Sequence, residues 1–225
     1  MITRLYIVRH GQSEGNIDRE FHGQYDSSLT DLGHTQAQAT AKWLDCYPID
    51  VVYSSDLKRA FDTAAHTAKR RGMEIIPHTG LREICAGEWE KVLFTDIAAK
   101  WPEDYAGWVK FGSDFRCPGG ESLAELYDRI IKTVTEIAAA NPGKNVMLAT
   151  HATPIRMLRY YWDGVSLDSG VDVPWASNAS VTIADYDCDT GAFTMLSYGL
   201  AEHLEGLVSV PNFTNFENYE ADGNG

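Results

Sequence analysis

The chain has 225 residues, of which 44% are hydrophobic and 23% charged, and it carries a formal net charge of −13. Those values suit one sizeable globular domain with a well-buried core and exclude a disordered or fibrous chain. The negative balance argues against nucleic acid and anionic membranes as partners, since such affinity rests on Lys and Arg meeting phosphates, and no apolar window approaches the roughly 18 residues of a spanning helix.

Met1-Ile-Thr-Arg-Leu leads straight into an apolar run, Leu5 to Val8, without the features of a signal peptide, so a cytoplasmic protein is expected. The run ends in "RHGQSEGN", an arginine and a histidine followed by two glycines. A helical pattern then runs from Thr30 to Leu44, a second apolar strand from Val51 to Tyr53, and a second helix from Asp56 to Arg71, with Ser55 placed to cap it. From Ala86 to Gly120 the chain carries Trp89, Phe94, Trp101, Tyr105, Trp108, Phe111 and Phe115 among short helical pieces. That is too long for a plain connection and is expected to form a small cap.

A helix from Ser122 to Ala140, a strand from Val146 to Ala149 and a helix from Pro154 to Trp162 follow, the last with Thr153 as N-cap and Pro154 at its first position. "SVTIADYD" and "AFTMLSYG" flank "CDTG" and predict a hairpin at the far end of the sheet. Residues 1–210 are expected to make one domain with its cap at 86–120, and 211–225 an acidic, Asn- and Gly-rich tail. Strands alternating with helices predict a three-layer α/β/α fold with a mostly parallel central sheet.

In such a sheet ligands bind beyond the carboxyl ends of the strands, where Arg9 and His10 follow Val8 and where His151 follows "VMLAT". Gly11 would let the chain turn and let loop amides approach an anion, and Asn16 could add a donor. A lone "RHG" is more often a surface turn. Arg59, near the start of its helix, meets the positive end of the helix dipole, a placement that a bound anion would offset. Lys58 and Arg156 also lie near helix starts and are read as solvated or paired. The start of the last helix, at Ala152 and Thr153, can itself attract phosphate. A partly buried carboxyl can donate a proton to a departing alcohol near neutral pH, and "LREICAGEWE" offers Glu83, Glu88 and Glu90, among which the residues alone do not choose.

Two other signals lead nowhere. "DYDCDTG" imitates a calcium loop but places Thr190 and Leu196 where glycine and a bidentate glutamate are needed. The four cysteines, Cys46, Cys85, Cys117 and Cys188, are scattered without metal or redox spacing and read as reduced structural thiols.

"RHGQSEGN", "HGQYDSSLTDLGHTQA", "YSSDLKRAFDTA", "LREICAGEWE", "PGGES" and "ATHATPIR", in that order, resemble the successive motifs of the histidine phosphatase superfamily, phosphoglycerate mutase-like branch, over Tyr6 to about Arg156. The resemblance implies that His10 is the phosphorylated nucleophile and that Arg9, Asn16, Arg59 and His151 bind the phosphoryl oxygens. It implies that Glu83 is the proton donor, and that neither metal nor other cofactor is needed. Many members have glycine where this chain has Ala152 and Lys91. Ala152 still offers its amide, and Lys91 is either solvated or in reach of a second anion on the substrate.

The expected function is a metal-independent phosphatase acting on a small phosphorylated metabolite. The alternatives are a bisphosphoglycerate-dependent phosphoglycerate mutase and a non-catalytic phosphate-binding module. Mutases of the family carry a longer, Lys/Arg-rich insertion before the "PGGES" element, whereas the segment here is short and aromatic. The aromatic residues would either meet the substrate's organic part or form the cap's own core, the second being expected for most of Trp89, Trp101 and Trp108. The sequence sets no oligomeric state and leaves a homodimer open.

Overall fold

The computed structural model describes residues 1–207; the expected tail at 211–225 lies outside the described residues. Eight strands and seven α-helices follow one another among the described residues. They are β1 (Ile2–Arg9), α1 (Glu14–Asp18), β2 (Glu20–Phe21), α2 (Asp31–Leu44), β3 (Val51–Ser54), α3 (Lys58–Arg71), β4 (Ile75–Pro77), β5 (Val92–Leu93), α4 (Phe94–Lys100), α5 (Pro102–Lys110), α6 (Leu123–Ala139), β6 (Asn145–Thr150), α7 (Ala152–Trp162), β7 (Val181–Asp187) and β8 (Ala192–Leu200). Six strands form one sheet in the order β4-β3-β6-β1-β7-β8. Its first four are parallel, and the hairpin β7-β8 extends it antiparallel along β1. The three-layer, mostly parallel architecture is the one expected.

Alternation along β1 divides the interior in two. Leu5 and Ile7 pack with Val146 and Leu148 against Ile130 and Val134 of α6 and Ile155 of α7. Tyr6 and Val8 pack with Val52, Met147 and Ala149 against Leu44 of α2 and Ala64 of α3. Successive strand side chains point to opposite faces, so a strand covered on both sides is apolar throughout. That is why the central strands were visible in the sequence as unbroken runs. The helices after β1 and β3 cover one face and α7, after β6, the other, which opens a crevice between β1 and β6 at their carboxyl ends.

The helix starts differ from expectation in two places. Helix α3 begins at Lys58 with Leu57 as its cap, two residues later than the Ser55 start. Asp26 Oδ1, from a distant loop, accepts from the Lys58 amide at 2.6 Å, and the Ser55 hydroxyl accepts from Leu57 N at 3.3 Å. Helix α7 begins at Ala152 with His151 as its cap, which places Pro154 third. The Thr153 amide donates to Glu83 Oε2 at 3.2 Å, so a carboxylate remote in sequence performs the capping assigned to Thr153. Thr30 and Ser122 cap α2 and α6, with side-chain oxygens accepting from Gly33 and Glu125 amides.

The 86–120 segment folds as a short 3₁₀ turn, β5, α4 and α5, and β5 pairs with β2 in a two-stranded ribbon that the sequence reading did not include. Trp89 is fully buried, whereas Trp101 is partly buried against the same cluster.

Gly11 is required for a different reason than a sharp turn. A Cβ on Gly11 would stand 2.4 Å from Gly33 O, and one on Gly33 would stand 2.0 Å from Gln12 O. The loop after β1 and the first turn of α2 touch backbone to backbone, and neither contact can relax by rotating a side chain. Gly33→Ala is therefore expected to destabilise the fold by about 1–3 kcal/mol, read as a lower urea midpoint with an unchanged m-value.

Candidate active site

The parallel register of β1 and β6 pairs Arg9 with Thr150, and His10 N donates to Thr150 O at 3.0 Å. The residues one step beyond the two strand ends, His10 and His151, thus come side by side, with ring centroids 5.2 Å apart. Ser54 is in register with Ala149 on the other side, which brings Ser55 to His151, its Oγ 2.9 Å from Nε2.

His10 Nδ1 lies 2.7 Å from its neighbour's carbonyl, Gly11 O. A carbonyl can only accept, so Nδ1 carries the ring proton and Nε2 keeps its lone pair. Burial first, then the Arg59 and Arg9 guanidiniums, hold the His10 imidazole well below the usual histidine range. Burial, Arg59 and His10 do the same to His151. Both rings are neutral at neutral pH. His151 Nδ1 is buried and has no hydrogen-bond partner among the described residues.

Arg9 Nη1 donates to Ala176 O at 2.6 Å, and Arg59 donates from Nη1 to Tyr25 O at 2.9 Å and from Nη2 to Gly23 O at 2.7 Å. Burial lowers each guanidinium to about 10, against the attraction of the Glu83 carboxylate, and both remain cations at neutral pH. Asn16 Oδ1 accepts from Ser13 N, Ser13 Oγ and Asn178 Nδ2 at 3.0, 3.2 and 3.1 Å, which commits the oxygen and turns the Asn16 amide hydrogens to the cavity.

Glu83 Oε1 accepts from Ile84 N at 2.8 Å, and the residue lines the same cavity as Arg9, His10, Asn16, Arg59 and Ala152. The other two acids fall away: Glu88 is exposed, and Glu90 Oε1 accepts from Gln24 N at 3.0 Å outside the cavity lining. The cavity has a volume of about 140 Å³.

The loop amides do not form the expected anion cradle. Gly11 N donates to Thr63 Oγ1 at 3.0 Å and Gln12 N to Gln36 Oε1 at 2.8 Å, so both are spent inside the fold. Donors come instead from side chains and from the first turn of α7, where Ala152 lines the cavity and its amide has no intrahelical partner. Lys91 does not line the cavity, and its ammonium lies 4.7 Å from the centre of the Tyr25 ring. Lys58 pairs with Asp62. Arg156 is buried, bonded to Asp172 and stacked over Phe111 and Trp175 at 4.1 and 4.3 Å.

Several wall residues escaped the sequence reading. Glu20, Phe21, His22 and Trp175 line the cavity beside Phe94 and Trp108. Asn178 is buried and donates to His10 O at 3.1 Å as well as to Asn16. The residues 176–179 lie in the connection that leads into β7, the neighbour of β1, and no local pattern announces them.

An α/β sheet with two neutral histidines, two buried guanidiniums and a carboxyl group at one strand edge defines an enzyme that handles a phosphoryl group. The model of the histidine phosphatase superfamily (branch 1) matches residues 5–198, and the chain belongs to that superfamily. Phosphoserine phosphatase 1 of Hydrogenobacter thermophilus is 33% identical over 166 residues, 74% of this chain and 79% of that one. A 2,3-bisphosphoglycerate-dependent phosphoglycerate mutase of Methylobacterium radiotolerans is 31% identical over 207 residues, 83% of this chain and 98% of that one. The solved structure of a mycobacterial glucosyl-3-phosphoglycerate phosphatase superposes with a TM-score of 0.80 at 28% identity, covering 89% of this chain and 100% of that one.

The buried neutral imidazoles set a pH dependence of stability. Below about pH 6.5 the unfolded histidine binds a proton that the folded ring refuses, so stability falls as pH falls, by at most about 1.4 kcal/mol per pH unit for each ring. Above that pH neither state is protonated and the contribution is flat. Urea unfolding at pH 7.5 and 5.5 is expected to show a smaller acid loss in His10→Asn than in the wild type. Equal losses would mean a charged ring in the folded protein.

Proposed function

We propose that this protein is a metal-independent phosphatase that hydrolyses a small phosphomonoester through a phosphohistidine on His10. The observation that carries the proposal is the tie from His10 Nδ1 to Gly11 O, which leaves Nε2 of a buried, neutral imidazole as a nucleophile between two buried guanidiniums.

Nε2 attacks phosphorus in line as the ester oxygen departs. Arg9, Arg59, the Asn16 amide and the Ala152 N–H meet the equatorial oxygens, whose charge is spread in the transition state. In this reading the Ser55 hydroxyl, which accepts from Leu57 N, gives its own proton to His151 Nε2. That puts the His151 proton on Nδ1, the atom without a hydrogen-bond partner among the described residues, as a further donor. Each Glu83 oxygen takes one backbone N–H and keeps a lone pair. In its acid form Glu83 protonates the leaving oxygen; as a carboxylate it then takes a proton from the water that attacks the phosphohistidine, releasing phosphate and restoring both groups.

A mutase reading draws on the 31% identical relative. It requires the enzyme to hold a second anionic group, yet no lysine and no arginine besides Arg9 and Arg59 lines the cavity among the described residues. Hydrolysis is therefore the preferred reading. The scattered spacing of the cysteines keeps the cytoplasm as the proposed compartment, and 86–120 is proposed as a cap on the 1–210 domain.

Phosphate release from an aryl phosphate, with chelator present, is expected to disappear in His10→Ala, and an acid-labile phosphoryl adduct to be trapped by rapid quench in the wild type alone. Sustained release by His10→Ala would overturn the mechanism. Arg59→Ala is expected to lower kcat/KM by about 10²–10³-fold, as for loss of an oxyanion donor. Asn178→Ala, which releases Asn16, is expected to lower it about tenfold while the adduct on His10 still forms.

A further inference from the structure

Among the described residues, the charged ones lining the cavity are two arginines and two acids: Arg9, Arg59, Glu20 and Glu83. Both cations are committed to the reacting end. Arg9 precedes His10 in the chain, and Arg59 acts on both the His10 and His151 rings strongly enough to be their leading electrostatic influence after burial. A dianionic phosphoryl group there uses both positive charges.

The rest of the wall is of another character. Phe21 stands at the centre of an aromatic group, its ring centroid 5.0 Å from Trp108 and 5.3 Å from Phe94, and Trp175 lies 6.5 Å from Trp108. Trp108 and Phe21 are almost wholly buried, yet both line the cavity. Arg156 holds Trp175 from outside the cavity lining, over its ring at 4.3 Å. On the same cavity wall, Glu20 Oε2 takes a hydrogen bond from His22 Nε2 at 3.2 Å, and burial lowers His22 below the usual histidine range, so the pair carries a net negative charge. Asp18, exposed and outside the cavity lining, brings a second carboxylate within 4.8 Å of Glu20 and His22.

We infer that the alcohol half of the substrate carries no anionic group and presents a flat apolar face to the Phe21, Trp108 and Trp175 rings, with a positive charge tolerated beside Glu20. This deepens the phosphatase reading above and rests on it. A carboxylate or second phosphate on the leaving group would find no unspent cation in the cavity and would meet Glu20. A ring or a cation finds aromatic faces and a carboxylate, surfaces that favour both.

The test is a set of three phenolic esters whose substituents are insulated from the reacting oxygen: phenyl phosphate, tyramine O-phosphate and 4-(carboxymethyl)phenyl phosphate. Wild-type kcat/KM is expected to be at least tenfold lower for the carboxymethyl ester than for phenyl phosphate, and at least equal to phenyl phosphate for the tyramine ester. Glu20→Gln is expected to narrow the gap between carboxymethyl and phenyl esters threefold or more and to lower the tyramine-to-phenyl ratio. A carboxymethyl ester hydrolysed as well as phenyl phosphate, in a reaction that His10→Ala abolishes, would overturn this inference and leave the phosphatase reading standing. Failure to hydrolyse any of the three would overturn that reading and this one with it.

Discussion

The parallel hydrogen-bond ladder between β1 and β6 fixes the chemistry of this protein. Its register, Arg9 opposite Thr150, sets His10 beside His151 although 140 intervening residues separate them in the chain. A shift of one residue would reverse the facing of every side chain on β1, exchanging the two halves of the core as well as misplacing His10. The apolar residues that hold the strand in register therefore hold the His10 imidazole too. The same ladder, continued through β3, delivers Ser55 to the second histidine.

Around that pair the fold concentrates cations in a protein whose overall charge is strongly negative. Two guanidiniums are taken out of water and compensated by backbone carbonyls: Ala176 O for Arg9, and Gly23 O and Tyr25 O for Arg59. Carbonyl dipoles satisfy donors without cancelling charge, so the site keeps its attraction for an anion and keeps its imidazoles neutral. The excess acid elsewhere on the surface repels anions in general, and the cavity makes a local exception to it.

The arrangement depends on the segment 175–179 as much as on the motifs. Trp175 forms wall, Ala176 O accepts from Arg9, Asn178 fixes both the His10 carbonyl and the Asn16 amide, and Ala179 N bridges the carbonyls of Arg9 and His10. One connection between α7 and β7 thus braces the segment from Arg9 to Asn16 with five hydrogen bonds. This explains how a loop whose own amides are turned inward, to Thr63 and Gln36, still holds its side chains in a defined geometry.

The sequence by itself determined the layers of the fold, the central strands, the caps of α2 and α6, and the candidate residues Arg9, His10, Asn16, Arg59, Glu83, His151 and Ala152. These are written in local signals: unbroken apolar runs, capping residues, and motif order. The short strands β2 and β5, the true starts of α3 and α7, and the places of Glu20, His22, Trp175 and Asn178 around the cavity were decided only in three dimensions. Asp26 caps α3 and Glu83 caps the first turn of α7 from remote positions, and such partners leave no mark on the segment they complete. Local order follows from near neighbours along the chain; a cavity is built where distant segments meet, and its composition is settled by packing that no single stretch contains.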